Sequence, residues 1–258
     1  MNRLPVLYIS HGAPTFALHP GRVGSLLHDL GKRLPRPRAI LIISPHWMTN
    51  VLRIGCNPRP ITIHDFSGFP NALYRLSYPA IGSPEVAHEI SDYLQEKGLF
   101  PEPDFLRGLD HGVWAPLLLL FPEADIPVIP ISLPANWQSN NVKALGEVLR
   151  PLADEGVLII GSGSLTHNLA DFRSNASADD LAYVSRFSSW VRDEVSRGDL
   201  DGLMRWETHS DAKRAHPTPE HFLPLIFSAS AAHHPWKVEI LEGGVDYGML
   251  AMDSYIFW

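Results

Sequence analysis

Apolar positions along this chain follow two different rhythms. Continuous apolar or β-branched runs recur at residues 6–10, 39–44, 128–133, 157–161 and 238–241. Short runs without internal polar alternation predict strands buried on both faces, as in a largely parallel sheet. Between them, apolar residues at helical spacing predict helices over 21–34, 84–97, 140–154, 181–197 and 219–231. Ser83 before Pro84 reads as a helix start, and Gly98 after Lys97 as a stop. Residues 247–258 return to a period of two and predict a closing, antiparallel strand. Strand–helix–strand repetition implies an α/β sandwich, with a mostly parallel central sheet and helices on both faces. No flexible linker, internal repeat or low-complexity tract interrupts the pattern, so one domain is expected over residues 1–258, with long functional loops near 58–79 and 169–180.

Composition narrows the picture. The 258 residues are 45% hydrophobic, enough to bury a full core without a partner. A net charge of -7 and the lack of a basic, aromatic-interleaved run argue against nucleic-acid binding. The longest apolar stretch, near 114–121, is too short to span a bilayer and contains Pro116. Cys56 is the only cysteine, which excludes an intrachain disulfide or a cysteine-rich metal site. The N-terminus enters its first apolar run without a charged leader, so a soluble, cytoplasmic protein is expected. Oligomeric state has no signature here.

Histidine changes the picture most. Of the 13 histidines, His11, His46, His111 and His167 each follow an apolar run or sit among small, turn-forming residues. Open α/β sheets place ligands at strand ends, so imidazoles gathered there suggest a metal centre. His11 precedes Gly12-Ala13-Pro14 and His46 lies between Pro45 and Trp47. In a parallel sheet their ends lie about 5 Å apart as neighbours, or about 10 Å with one strand between, so the two imidazoles can meet one ion. His111 has Asp110 beside it, either to orient the ring or to cap a helix starting near Val113. His167 follows Gly161-Ser162-Gly163-Ser164, where a turn capped by Asn168 is the plainer reading. His221 follows Glu220, which reads equally as a first-turn helical acid. His64 beside Asp65 is expected near a pocket mouth, and the remaining histidines read as structural or solvated.

Other chemistries fit poorly. Gly161-x-Gly163 lacks the third glycine of a dinucleotide fingerprint, and no serine stands between glycines as a nucleophile elbow requires. P-loop, His-Glu-x-x-His and EF-hand patterns are absent.

Six segments in order carry a resemblance over most of the chain: Ser10-His11-Gly12-Ala13-Pro14, Ser44-Pro45-His46-Trp47, the run Thr62-Ile63-His64-Asp65-Phe66-Ser67-Gly68-Phe69-Pro70, Asp110-His111-Gly112-x-Trp114, Gly163-Ser164-Leu165-Thr166-His167-Asn168, and Pro217-Thr218-Pro219-Glu220-His221. Together they resemble the class III extradiol ring-cleavage dioxygenases, the LigB-like superfamily, in its DOPA dioxygenase branch. That resemblance implies Fe(II) for activity, with Zn(II) able to occupy the same site. It implies His11, His46 and His221 as metal ligands, with Glu220 the competing third ligand and His167 a possible fourth. His167 would be the catalytic acid/base and His111 would contact substrate or oxygen. Trp47, His64, Phe66, Phe69 and Trp114 are candidate pocket residues. The implied reaction inserts O2 into a catechol-type, DOPA-like ring with 4,5-extradiol cleavage to a ring-opened semialdehyde. A zinc-dependent hydrolase using the same histidines is the alternative.

Overall fold

The computed structural model describes residues 3–172, 177 and 181–258, the side chain of residue 172 excepted. Among the described residues ten strands form: β1 (Val6–Ser10), β2 (Ala39–Thr49), β3 (Arg53–Gly55), β4 (Glu102–Asp104), β5 (Val128–Pro134), β6 (Val157–Gly163), β7 (Val238–Leu241), β8 (Val245–Asp246), β9 (Leu250–Ala251) and β10 (Ser254–Phe257). Eight of them build one sheet in the order β4-β3-β5-β2-β6-β1-β10-β7. The central four, β5-β2-β6-β1, are mutually parallel and start from the predicted apolar runs. All residues of β1, β5 and β6 are buried, as expected for strands covered on both faces.

Helices flank the sheet: α1 (Gly21–Arg33), α2 (Pro84–Glu96), α3 (His111–Leu120), α4 (Ser139–Leu149), α5 (Leu169–Phe172), α6 (Ala182–Arg197), α7 (Leu200–Met204), α8 (Ala212–Ala215) and α9 (Leu223–Ala231). The most apolar two, α3 and α9, lie directly on the sheet, because a helix apolar all round must be covered on all sides. Consecutive residues of β6 show that they take opposite faces. A side chain at Gly161 would strike the Pro224 carbonyl of α9, whereas the next residue, Ser162, bonds the Gly112 carbonyl of α3. Amphipathic α1 and α4 then cover α3 and α9 from outside.

Several expectations are adjusted. The run at 39–44 continues as strand to Thr49, through an irregularity. The helix expected over 140–154 stops at Leu149 and tightens into a 3-10 turn over Arg150–Ala153. The one expected over 219–231 begins only at Leu223, so His221 stands just before the helix. The closing strand is β10, antiparallel to both β1 and β7; β8 and β9 form a separate small hairpin. Three-residue β3 and β4 extend the other edge and carry no readable run. The loop at 58–79 holds one short turn at Leu73–Arg75; the one expected at 169–180 begins with α5 and otherwise falls largely outside the described residues.

Candidate metal centre

The C-terminal ends of β1, β2 and β6 lie together, and the sequence there turns polar side chains inward. Directly after β1, His11 donates its backbone N–H to the Gly163 carbonyl of β6. Gly12 then takes a φ of 61°, a left-handed turn that suits glycine. On β2, Ile43 pairs with Ile131 of β5, but the next matched pair is Met48 with Leu133. The extra residues form a bulge that re-aims His46, and Pro45 has no ladder N–H to lose there. The bulge is held from below: Ser44 Oγ donates to Asp110 Oδ1 at 2.7 Å, and Arg107 donates both to Asp110 Oδ2 and to the His46 carbonyl. His221 enters from the turn ahead of α9, with its carbonyl accepting from Ser164 N.

These three histidines converge. Ligand atoms of His11, His46 and His221 all lie within 4.8 Å of one another. Nε2 of His11 and Nε2 of His46 stand 3.2 Å apart. Nε2 of His221 is fully buried without a hydrogen-bond partner. Nδ1 of His11 is hydrogen-bonded to Ser162 Oγ at 2.9 Å and Nδ1 of His221 to Glu220 Oε1 at 3.3 Å, while Asp65 Oδ2 lies 3.4 Å from Nδ1 of His46. With Nδ1 of His11 and of His221 so engaged, their Nε2 atoms are left for an ion shared with His46, and a cation there would take up the lone pairs that face one another. The donor set fits a metal with imidazole preference and open positions, such as iron or zinc. Burial first, then neighbouring imidazoles, hold His11 and His221 well below their ordinary pKa, and burial also lowers His46. The ligands are thus neutral near pH 7, the state a metal needs.

Glu220 is engaged elsewhere. Its carboxylate accepts from His221 Nδ1 and from Thr218 Oγ1, and it is not in the converging group. His167 also stays outside that group. Its ring stacks on His221 with centroids 3.5 Å apart and planes 7° apart. An imidazole lone pair lies in the ring plane, so two face-to-face rings do not aim at one point, and the converging group consists of His11, His46 and His221 without His167. Burial lowers its pKa to about 4, against the opposing pull of Glu220. His111 packs 4.0 Å from His46 between centroids. Its partner is not Asp110 but Asp65, which accepts from both the backbone N–H and Nδ1 at 2.9 Å. Asp110, its pKa pushed up by burial against the pull of Arg107, makes no side-chain cap on α3 and is held instead by Ser44 and Arg107.

A cavity of ≈ 340 Å³ opens beside the cluster, bordered by His46, His111, His167 and His221 and walled by Phe66, Phe69, Leu169, Met249 and Leu250. Three expected pocket residues fall outside its lining. Trp47 lies under the Arg107 guanidinium; Trp114 is buried in the core, with Nε1 on the Ile63 carbonyl; His64 contacts the Leu76 carbonyl and borders a separate cleft. Aromatic character alone does not distinguish a core ring from a pocket wall, and the tertiary path of the 58–79 loop does. Asp65 and Ser162 were the partners that sequence reasoning missed. Asp65 had a signal, an acid inside the His64–Phe66 motif; Ser162 had none, because a strand serine is ordinary.

Over residues 8–257 the sequence matches the family described as the catalytic LigB subunit of aromatic ring-opening dioxygenase. The chain belongs to this family and is an aromatic ring-opening dioxygenase. It is 39% identical to a 4,5-DOPA dioxygenase extradiol of Beta vulgaris, over 97% of this chain and 95% of that protein. A protein of the same description from Escherichia coli strain K12 is 34% identical, over 98% and 94%. The solved structure of an uncharacterized Escherichia coli K12 protein superimposes with a TM-score of 0.82 at 27% identity, covering 98% of this chain and 99% of that one. Among the described residues no helix is long and apolar enough to cross a membrane.

Proposed function

We propose that residues 1–258 form one catalytic domain that performs extradiol, 4,5-type cleavage of a side-chain-bearing, DOPA-like catechol with O2, giving a ring-opened semialdehyde. The observation that carries this reading is the convergence of His11, His46 and His221, with ligand nitrogens within 4.8 Å of one another and Nδ1 of His11 and of His221 hydrogen-bonded elsewhere. His11, His46 and His221 would hold the metal, Fe(II) for activity, with Zn(II) able to take the same donors. Bound there, such an ion supplies positive charge that acidifies a chelated catechol and a redox centre for O2. The cytoplasm, where the lone buried thiol of Cys56 stays reduced, suits the Fe(II) form.

The remaining residues handle protons and shape. His167, neutral near pH 7 and on the cavity wall, accepts a proton from a catechol hydroxyl and returns it to the product. His111, held by Asp65 through both its backbone N–H and Nδ1, presents its ring to the cavity, where it contacts substrate or oxygen. Phe66 and Phe69, edge to face with centroids 5.4 Å apart, flank the aromatic ring and exclude water. The apolar wall at Leu169, Met249 and Leu250 leaves space for a ring substituent.

The test is aerobic turnover of a catechol panel by iron-loaded enzyme, reading oxygen uptake and product mass. One O2 consumed per catechol, with a product of substrate-plus-O2 mass, is expected. Absence of uptake with every catechol overturns the reading in favour of a hydrolase. His167→Ala should keep its metal while kcat falls by about 10²–10⁴-fold, the usual worth of a proton-transfer group; unchanged kcat removes His167 from the chemistry.

A further inference from the structure

We propose that Pro116, inside helix α3, sets the tautomer of His11 through a relay of Gly112 and Ser162, and so primes Nε2 of His11 to bind metal. This rests on the metal reading above. The argument starts from a missing donor. In a helix the N–H of residue 116 would bond the carbonyl of residue 112; proline has no N–H, and Pro116 leaves the Gly112 carbonyl free. That carbonyl is buried where α3 meets the sheet, and it takes the hydroxyl proton of Ser162 from β6. A carbonyl only accepts, so the single hydroxyl hydrogen of Ser162 is committed to it. Ser162 Oγ therefore faces Nδ1 of His11, 2.9 Å away, only as an acceptor. The proton of the neutral imidazole must then sit on Nδ1, and the lone pair on Nε2, the atom 3.2 Å from Nε2 of His46.

With a free serine hydroxyl the opposite choice is open. Ser162 would donate to Nδ1, the proton would move to Nε2, and that face would repel a cation. His46 and His221 have carboxylates at Nδ1, which fix the tautomer by themselves because an ionised carboxylate cannot donate. His11 alone of the three has an ambivalent partner, and the helix proline removes the ambivalence. Ser162 and Pro116 are positioning residues: neither is in the converging ligand group.

A double-mutant cycle tests the relay, using Ser162→Ala, Pro116→Ala and the pair, with two readouts. Zn(II) affinity is measured by competition with a chromophoric chelator, and the His11 tautomer by ring ¹⁵N NMR of the metal-free protein. Ser162→Ala is expected to weaken Zn(II) binding about 10–100-fold, the usual cost of losing an outer hydrogen-bond partner. Pro116→Ala, which restores a competing N–H on the Gly112 carbonyl, should weaken it less and shift His11 toward the Nε2–H form. The double variant should match Ser162→Ala alone, because Pro116 acts only through Ser162. Additive losses would mean that Pro116 merely shapes the helix, and would overturn the proposal. So would an Nε2–H tautomer at His11 in the unaltered protein, a measurement that needs no variant to fold. If the unaltered protein binds no Zn(II) while His11 still carries Nδ1–H, the metal reading fails and the relay stands.

Discussion

Strand β2 contains two regions that obey different rules. From Ala39 to Ile43 it runs in parallel register with Val157–Gly161 of β6, and Ile40, Leu41, Ile42 and Ile43 are completely buried. From Ser44 to Trp47 the register with β5 breaks, and a histidine is turned toward two others. The first half gains stability by removing apolar side chains from water, about 1.5–3 kcal/mol for each large one. The second half gives up ladder pairing and places an imidazole where desolvation, against the opposing pull of Asp65, lowers its proton affinity. Within one strand, then, the scaffold is rigid up to the residue where function begins. The polar half is stable only because Ser44, Asp110 and Arg107 supply the hydrogen bonds that the ladder no longer gives.

Substitutions can separate the two halves. The largest effect is expected at His46→Ala: loss of bound metal beyond the about 10–100-fold that removal of an outer partner costs, with oxygen uptake abolished and folding retained. Metal analysis of the purified variant decides this, and a full equivalent of metal would mean that the bulge serves structure alone. Next comes Ile42→Ala in the regular half, expected to lose about 2–5 kcal/mol in urea unfolding while the metal content per folded molecule stays the same.

Acid should also distinguish the buried imidazoles of the rim from the rest of the molecule. His216, behind the metal centre, donates Nε2–H to the Leu165 carbonyl, so its neutral ring carries the proton on Nε2; burial lowers its pKa to about 3. Unfolded, the same ring titrates near ~6.5. Between those values the unfolded chain binds a proton that the native one refuses. Stability is therefore full above pH ~6.5 and declines as pH falls toward 3, by up to about 1.4 kcal/mol per pH unit from this residue. Unfolding of metal-free protein across that range should show a shallower slope for His216→Gln; an identical slope would refute the assignment. The smallest effect is expected at Trp47→Phe. The ring lies under Arg107 and outside the cavity, so stability should fall by about 0.5–1 kcal/mol with kcat/KM nearly unchanged. A large change in KM would return Trp47 to the pocket wall.

Some of this was readable in the chain and some was not, for identifiable reasons. The apolar runs of β1, β2, β5 and β6 stand out because strands covered on both faces have no polar alternation to hide them. β3 and β4 are invisible because three-residue edge strands are defined by their neighbours' backbone groups and not by their own side chains. The turn residues around His11, His46 and His221 marked those positions, since glycine and proline leave a trace wherever the backbone must change direction. The pairing of partners left no such trace: Asp65 stands in a legible motif but reaches His111 across 46 positions, and Ser162, an ordinary strand serine, reaches His11 across 151.

Sequence alone therefore determined the central apolar runs and marked the candidate histidines, because periodicity and turn residues are local properties. Only the tertiary structure decided which imidazoles face one another, which nitrogen of each is free, and which aromatic rings border the cavity. Those facts depend on distances between segments far apart in the chain, and a hydrogen-bond donor or a metal lone pair is defined by what stands opposite it.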